Sequence, residues 1–264
     1  MTLPQFQVSS FKNQKMPLIE IHQLTHRFAD GTLALDRIDL TIEAGAFVLI
    51  AGTNGSGKTT LLRHLNGLLR PTDGSVRIDG ISVAKDPARA RRRVGLVFQD
   101  VDSQIVGETV ADDVAFGPEN LGLSRTDIET RVAATLETMG LTAAADMPPH
   151  LLSGGQKRRL AIAGVLAMDP AVIAFDEPFS NLDYPGVRSV LRRMIDLHAA
   201  GKTLIITTHD LDKVAALADR LLVLDRGRLV LDGPPVACVG DIEDYGIRQP
   251  CSYRLGGRLE SWLN

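Results

Sequence analysis

The residues best suited to chemistry in this chain lie at Gly52-Thr-Asn-Gly-Ser-Gly-Lys58-Thr59. Glycines at this spacing let the backbone turn sharply, so that successive amides can wrap a phosphate chain. A lysine then reaches the outer phosphates and a hydroxyl can hold Mg2+. Asn54, Gly55, Ser56, Gly57 and Thr60 complete the cradle around Lys58 and Thr59. The apolar run Ala46 to Ala51 before the loop reads as a buried strand, and Thr59 to Leu69 after it as a helix. The start of that helix would aim its positive end and free amides at the anion. The loop therefore predicts a site for ATP with Mg2+, although taken alone it would serve a kinase or a GTPase equally well.

A second cluster follows the apolar run Val172 to Phe175, which ends abruptly in Asp176-Glu177-Pro178. Ligands of open α/β sheets bind at the carboxyl ends of the strands, so two acids there call for a positive partner. If the strand alternation continues, the two side chains point apart. Asp176 would then face the metal while Glu177 faces a water beside the γ-phosphate, as general base. His209 closes another β-branched run, Leu204 to Thr208, where an imidazole could bond the γ-phosphate and steer that water. The other five histidines, His22, His26, His64, His150 and His198, read as structural.

Leu152-Ser153-Gly154-Gly155-Gln156 opens a helical run. With the phosphate loop, the Asp176-Glu177 pair and His209, all in family order and spacing, it makes the sequence resemble the ATPase subunit of an ATP-binding cassette transporter. The resemblance covers about Leu18 to Asp232. Ser153 with the amides of Gly154 and Gly155 at a helix start would form a second anion site. The resemblance implies that two subunits pair head to tail, each signature segment meeting the γ-phosphate held by the other's phosphate loop. It also implies that Gln99 touches magnesium and water, that Asp183 lies on the dimer seam, and that Phe28 stacks on adenine. The departures are small: Phe28 stands where the family often has tyrosine, and Asn181 where alanine is common.

The segment from Phe98 to Leu123, FQDVDSQIVGETVADDVAFGPENLGL, is similar to the ATPases of energy-coupling-factor importers, with Val101 in place of the usual proline. Such importers take up vitamins, cobalt or nickel. The likeness implies a peripheral position at the cytoplasmic face of the membrane. It also implies three partners: a second ATPase subunit, either a copy of this chain or a related paralogue, a transmembrane coupling protein and a substrate-binding membrane protein. Val106, Val110, Val114 and Phe116 would line the groove that grips helices of the coupling protein, unless they serve only helix packing. A cassette ATPase acting on nucleic acid or ribosomes is the rival reading. It would typically carry coiled coils or tandem cassettes, whereas only about fifty residues separate Gln99 from Ser153 and no heptads run through them. A non-hydrolysing switch would predict damage at Glu177 or His209, and both are intact.

The elements that must position these groups alternate along the chain. Leu18 to Leu24 and Arg37 to Ile42 alternate apolar and polar residues around the turn Asp30-Gly31, and predict a small antiparallel layer. Ser75 to Ile78 and Val94 to Phe98 read as strands bracketing the basic run Arg89, Arg91, Arg92 and Arg93, taken as a solvated helix face. From Thr109 to Met168, apolar residues such as Ile128, Val132, Leu136 and Met139 recur at helical spacing. Beyond them come the Ala171 to Phe175 strand and a helix with Val187, Val190, Leu191, Met194 and Ile195 on one face. The strand Thr203 to Thr208, a short helix Leu211 to Leu217 and a closing hairpin around Gly227 follow. The fold class expected is α/β: a phosphate-loop NTPase core with a mostly parallel sheet, an N-terminal antiparallel β layer and an inserted α-helical subdomain. The expected divisions are an extension over 1–16, an ATPase domain over 17–233 with the helical insertion at about 100–168, and a loosely attached tail over 234–264.

Composition bounds the rest. With 44 % apolar and 23 % charged residues, the chain is neither fibrous nor disordered. Its net charge of -3 argues against a general nucleic-acid footprint. No apolar run approaches the roughly 18 residues of a membrane span. Met1 to Met16 lacks the apolar centre of a secretory signal, so the chain is expected to stay in the cytoplasm, with the residues before Met16-Pro17 dispensable. Cys238 and Cys251 fall in no metal-ligand spacing and read as free thiols.

Overall fold

The structure, a computed structural model, describes residues 17–263; the expectations for the first sixteen residues lie outside it. In chain order the elements are β1 (Pro17–Arg27), β2 (Leu33–Glu43), β3 (Phe47–Ala51), α1 (Lys58–Leu65), β4 (Asp73–Ile78), β5 (Ile81–Ser82), α2 (Pro87–Arg93) and β6 (Val94–Val97). Then come α3 (Val110–Asn120), α4 (Arg125–Met139), α5 (Gly154–Leu166), β7 (Val172–Asp176), α6 (Tyr184–Ala199) and β8 (Thr203–Thr208). The chain closes with β9 (Arg220–Asp225), β10 (Arg228–Gly233), α7 (Pro235–Cys238) and α8 (Cys251–Gly256).

Two sheets organise these elements. The first is antiparallel, in the order β2-β1-β4-β5; the second runs β10-β9-β3-β8-β7-β6, parallel except for the β9–β10 hairpin at one edge. Because successive strand side chains face opposite ways, β3 feeds two cores. Phe47, Leu49 and Ala51 pack with Val110, Val114 and the helices beyond, while Val48 and Ile50 pack with α1 and the antiparallel layer. Burial on both faces explains why β3, β7 and β8 read as continuous apolar or β-branched runs. The sheet order also does something for function: β8 lies between β3 and β7, so the chain leaving β3, β7 and β8 emerges at one edge of the sheet.

Several expectations need correction. The helix after the phosphate loop stops at Leu65 rather than Leu69, because Asn66 caps it and Gly67 turns into the left-handed region. Leu211 to Leu217 is not one helix but two short 3-10 turns, Leu211–Lys213 and Ala215–Leu217. The segment after residue 233 is not loosely attached. Cys238, Val239, Ile242 and Ile247 are buried in the main core, and Trp262 packs on Tyr184 with ring centroids 5.4 Å apart. The helical insertion forms as expected from α3, α4 and α5, which pack on one another. Both cysteines are free thiols, Cys238 buried and Cys251 exposed. No helix among the described residues is long and apolar enough to cross a membrane.

Candidate active site

The turn from β3 into α1 holds two glycines, Gly52 and Gly57, at which a side chain has no room. Gly57 caps α1 with φ +105°, and a Cβ there would lie 2.6 Å from the Ala34 carbonyl oxygen. At Gly52 a Cβ would meet the Ser56 hydroxyl at 2.3 Å and the Leu224 carbonyl at 2.5 Å. The loop so formed folds Lys58 back over itself. Its Nζ donates to the carbonyls of Gly52 at 2.7 Å and Thr53 at 3.0 Å, and lies 4.0 Å from Glu177 Oε1. Burial holds the Lys58 ammonium below the usual lysine range, against the pull of Glu177 and Asp176.

Asp176 ends β7 directly beside Thr207 of β8 in the parallel register. The Thr207 hydroxyl donates to Asp176 Oδ1 at 2.7 Å and the Thr59 hydroxyl to Oδ2, also at 2.7 Å. One carboxylate thus joins the helix start to the neighbouring strand. Glu177 does not continue the strand alternation expected of it. Its φ of +45° is left-handed, its amide is held by the Thr207 carbonyl and hydroxyl at 3.1 and 3.2 Å, and its side chain turns back towards Lys58. His209 Nδ1 lies 3.0 Å from Glu177 Oε1. The backbone twist at residue 177 therefore gives the two acids different partners, Thr59 and Thr207 for Asp176 and Lys58 and His209 for Glu177.

These residues fit the groups the sequence implies. Thr59 and Asp176 present hard oxygen donors side by side, as Mg2+ prefers. Ser56 Oγ is buried in the loop with no hydrogen-bond partner among the described residues, and Lys58 has only carbonyls within bonding reach. An incoming polyanion would satisfy both. Phe28 stands near the same helix, 40 % exposed, its ring edge-on to His26 at 4.7 Å. Asn54, Gly55 and Thr53 are exposed at the loop tip, and Thr60 is half-buried, its carbonyl accepting from His64.

The remaining sequence candidates gather elsewhere. Ser153 caps α5 through a reciprocal pair with Gln156: the Gln156 amide donates to Ser153 Oγ at 3.3 Å, and the Ser153 amide to Gln156 Oε1 at 2.9 Å. Ser153, Gly154 and Gly155 line a hollow of 480 Å³ with Asn181, Asp183 and Gly186. Asp183 itself caps α6 by accepting from the Gly186 amide at 2.9 Å. Gln99 is exposed after β6, and its carbonyl accepts from Arg158 at 3.0 Å. Sequence reasoning missed Thr207 and Arg158. A β-branched run ending in two threonines hints at the first, and nothing local distinguishes the second from its neighbouring basic residues.

A larger cleft of 590 Å³ lies between α2, β6 and the helical insertion. Val106 and Phe116, 60 % and 53 % exposed, stand on its wall with Arg91 and Arg92. Val110 and Val114, expected beside them, are fully buried in the core, because α3 presents that face to α5 and the sheet. They serve helix packing.

The model of the family described as ABC transporter matches residues 35–180. An energy-coupling factor transporter ATP-binding protein, EcfA, of Methanocaldococcus jannaschii is 44 % identical over 231 residues, covering 86 % of this chain and 83 % of that relative. A cobalt import ATP-binding protein, CbiO, of Rhodobacter capsulatus is 44 % identical over 240 residues, covering 89 % and 86 %. Among solved structures, CbiO1 of Clostridium perfringens, described as part of the ABC transporter complex CbiONQ, superposes with a TM-score of 0.79 at 36 % identity. That alignment covers 90 % of this chain and 98 % of the other.

Proposed function

Because this chain belongs to the ATP-binding cassette transporter family and is an ATPase, we propose that it is the ATP-hydrolysing subunit of an energy-coupling-factor importer. In this reading, ATP-driven pairing of two such subunits drives uptake of a transition-metal ion or a vitamin through membrane partners. The observation that carries it is the separation of the two anion sites: the hollow at Ser153 is lined by none of the residues of the Gly52 to Thr60 loop. A phosphate bound at Lys58 is thus clasped from one side only within a single subunit. A second such subunit, a copy of this chain or a related ATPase, supplies the missing side when placed head to tail, and ATP becomes the contact that holds the pair.

Within each site the chain's own groups divide the work. The loop amides and Lys58 hold the β- and γ-phosphates, and the partner's Ser153 turn closes over the γ-phosphate. Thr59 and Asp176, with Gln99, would hold Mg2+, which when bound neutralises charge developing on the phosphate oxygens. Glu177 accepts the proton of the attacking water, and His209 fixes the orientation of its carboxylate. Phe28 offers an aromatic face to the adenine, and Asp183 holds the seam through its cap on α6. Release of phosphate removes the contact that favoured the closed pair, so the dimer opens.

The cleft bearing Val106 and Phe116 is assigned to a helix of a membrane coupling protein. Support comes from its exposed apolar wall and from likeness to the CbiO and EcfA proteins. The subunit would therefore sit at the cytoplasmic face of the membrane. Light scattering on Glu177→Gln protein with Mg-ATP tests the central claim and should give a dimer that dissociates with ADP. Protein that stays monomeric at high concentration, and also with its membrane complex, overturns it. Identification of the ligand bound to copurified membrane partners would name the cargo.

A further inference from the structure

α5 carries the Ser153 turn at its start, and one turn later Arg158 points inward instead of to solvent. Its residue is only 3 % exposed, yet no carboxylate among the described residues pairs with it within 4.0 Å. Its partners are backbone carbonyls. Nη1 donates to Phe98 O at 2.8 Å, and Nη2 to Gln99 O at 3.0 Å and, more weakly, to Ser180 O at 3.5 Å. Burial holds the guanidinium below the usual arginine range, with Asp100 opposing. A cation kept at such a desolvation cost suggests a geometric task that a neutral side chain would not perform.

That task follows from what the carbonyls belong to. Phe98 and Gln99 begin the loop that carries one proposed site residue, and Ser180 lies in the turn between Glu177 and Asp183. The planar fork of arginine can hold carbonyls that approach from different directions, whereas a lysine is a point charge. Two further contacts tie α5 to the same loop. Lys157 pairs with Asp102 at 2.7 Å, and Gln104 Nε2 reaches the Ala161 carbonyl at 3.5 Å. Gln104 in turn accepts from the Phe98 amide at 2.9 Å.

We propose that Arg158 is a positioning residue that locks the Ser153 helix, the Gln99 loop and the Ser180 turn of one subunit into a single rigid piece. When Ser153 closes on the partner's nucleotide, the same movement sets Gln99 and the Glu177 to Asp183 turn in the subunit's own site. The two ATP sites of a dimer are thereby coupled through the body of each subunit. This rests on the head-to-tail pairing proposed above.

The test uses purified dimers in which one subunit carries Arg158→Met and one of the two sites is silenced by Glu177→Gln. Arg158 of one subunit should matter to both sites, so whichever site remains active should lose about tenfold or more in kcat. Nucleotide Kd should change less than about twofold, since Lys58 is untouched. The Hill coefficient of wild-type ATPase should fall towards 1 in the double Arg158→Met dimer. Arg158→Lys, which keeps the charge but loses the fork, should give the same two-site loss, and it carries the test if the methionine variant does not fold. Loss confined to one site, or unchanged turnover in both, overturns the proposal. A parallel Ser153→Ala mixed dimer separates the two ideas. If Ser153→Ala harms only the site formed by its own subunit's Lys58, the head-to-tail pairing is wrong, whatever Arg158 does.

Discussion

The imidazole Nδ1 of His209 lies 3.0 Å from Oε1 of Glu177, and that same carboxylate oxygen stands 4.0 Å from the ammonium of Lys58. The carboxylate proposed as the base is thus held between the Lys58 ammonium, proposed to bind phosphate, and the His209 ring. It is reached only because residue 177 adopts a left-handed backbone. Strain of this kind is kept where the surrounding bonds over-determine it, and here the Thr207 carbonyl and hydroxyl both hold the Glu177 amide.

Glu177→Gln keeps the shape and removes the proposed proton acceptor. Steady-state ATP hydrolysis should fall by about two to four orders of magnitude with ATP binding retained. Undiminished phosphate release in that variant would remove Glu177 from the role of base.

Thr207→Val is nearly isosteric at a fully buried position but deletes the hydroxyl that meets Asp176 and the Glu177 amide. The loss should cost about 1–3 kcal/mol of stability, because a buried carboxylate oxygen loses its donor. Turnover should fall more than that loss of folding explains, with the Mg2+ concentration for half-maximal activity raised. Chemical denaturation beside a magnesium titration measures both, and wild-type values in each would show that Thr207 does not organise the two acids.

Gly57→Ala and Gly55→Ala should differ although both glycines have positive φ. An added Cβ at Gly57 meets the Ala34 carbonyl at 2.6 Å, whereas at Gly55 it meets nothing within 4 Å. The Gly55 variant should bear only the conformational cost, about 1–2 kcal/mol. The Gly57 variant should lose more than that, together with ATP binding. Thermal unfolding and nucleotide binding on the pair decide it; equal losses would mean that the close approach at Gly57 is relieved without cost.

His64 is fully buried in α1, its Nδ1 2.8 Å from the Thr60 carbonyl and its ring 4.8 Å from that of His26. Burial holds its pKa below the ordinary histidine value, with the Thr60 carbonyl opposing. The unfolded chain therefore binds the proton more readily than the folded one. Stability contributed by neutral His64 is complete above about pH 6.5 and falls as pH drops through that value towards the depressed folded pKa. His64→Asn, which can still donate to Thr60, should flatten the drop in melting temperature between pH 7.5 and 5.5. An unchanged slope would assign that pH dependence to other groups.

Much of this was readable in the chain because the signals are local. A glycine-rich turn between an apolar strand and a helix, an acid pair ending a buried strand, and a serine-led helix cap each depend on residues a few positions apart. Their chemistry follows from residue type and spacing. The alternation of strand and helix likewise fixed the α/β class, since runs such as Val172 to Phe175 can only be buried on both faces.

What only the folded chain decided is which distant residues meet. The order β3-β8-β7 brings Thr207 against Asp176, the twist at Glu177 turns its carboxylate towards Lys58 and His209, and α3 buries Val110 and Val114 while leaving Phe116 in the cleft. Arg158 looks like its basic neighbours until the carbonyls of Phe98 and Gln99 close around it from about sixty residues away. Strand order and side-chain facing arise from packing summed over the whole core, a long-range term, so no window of sequence contains them.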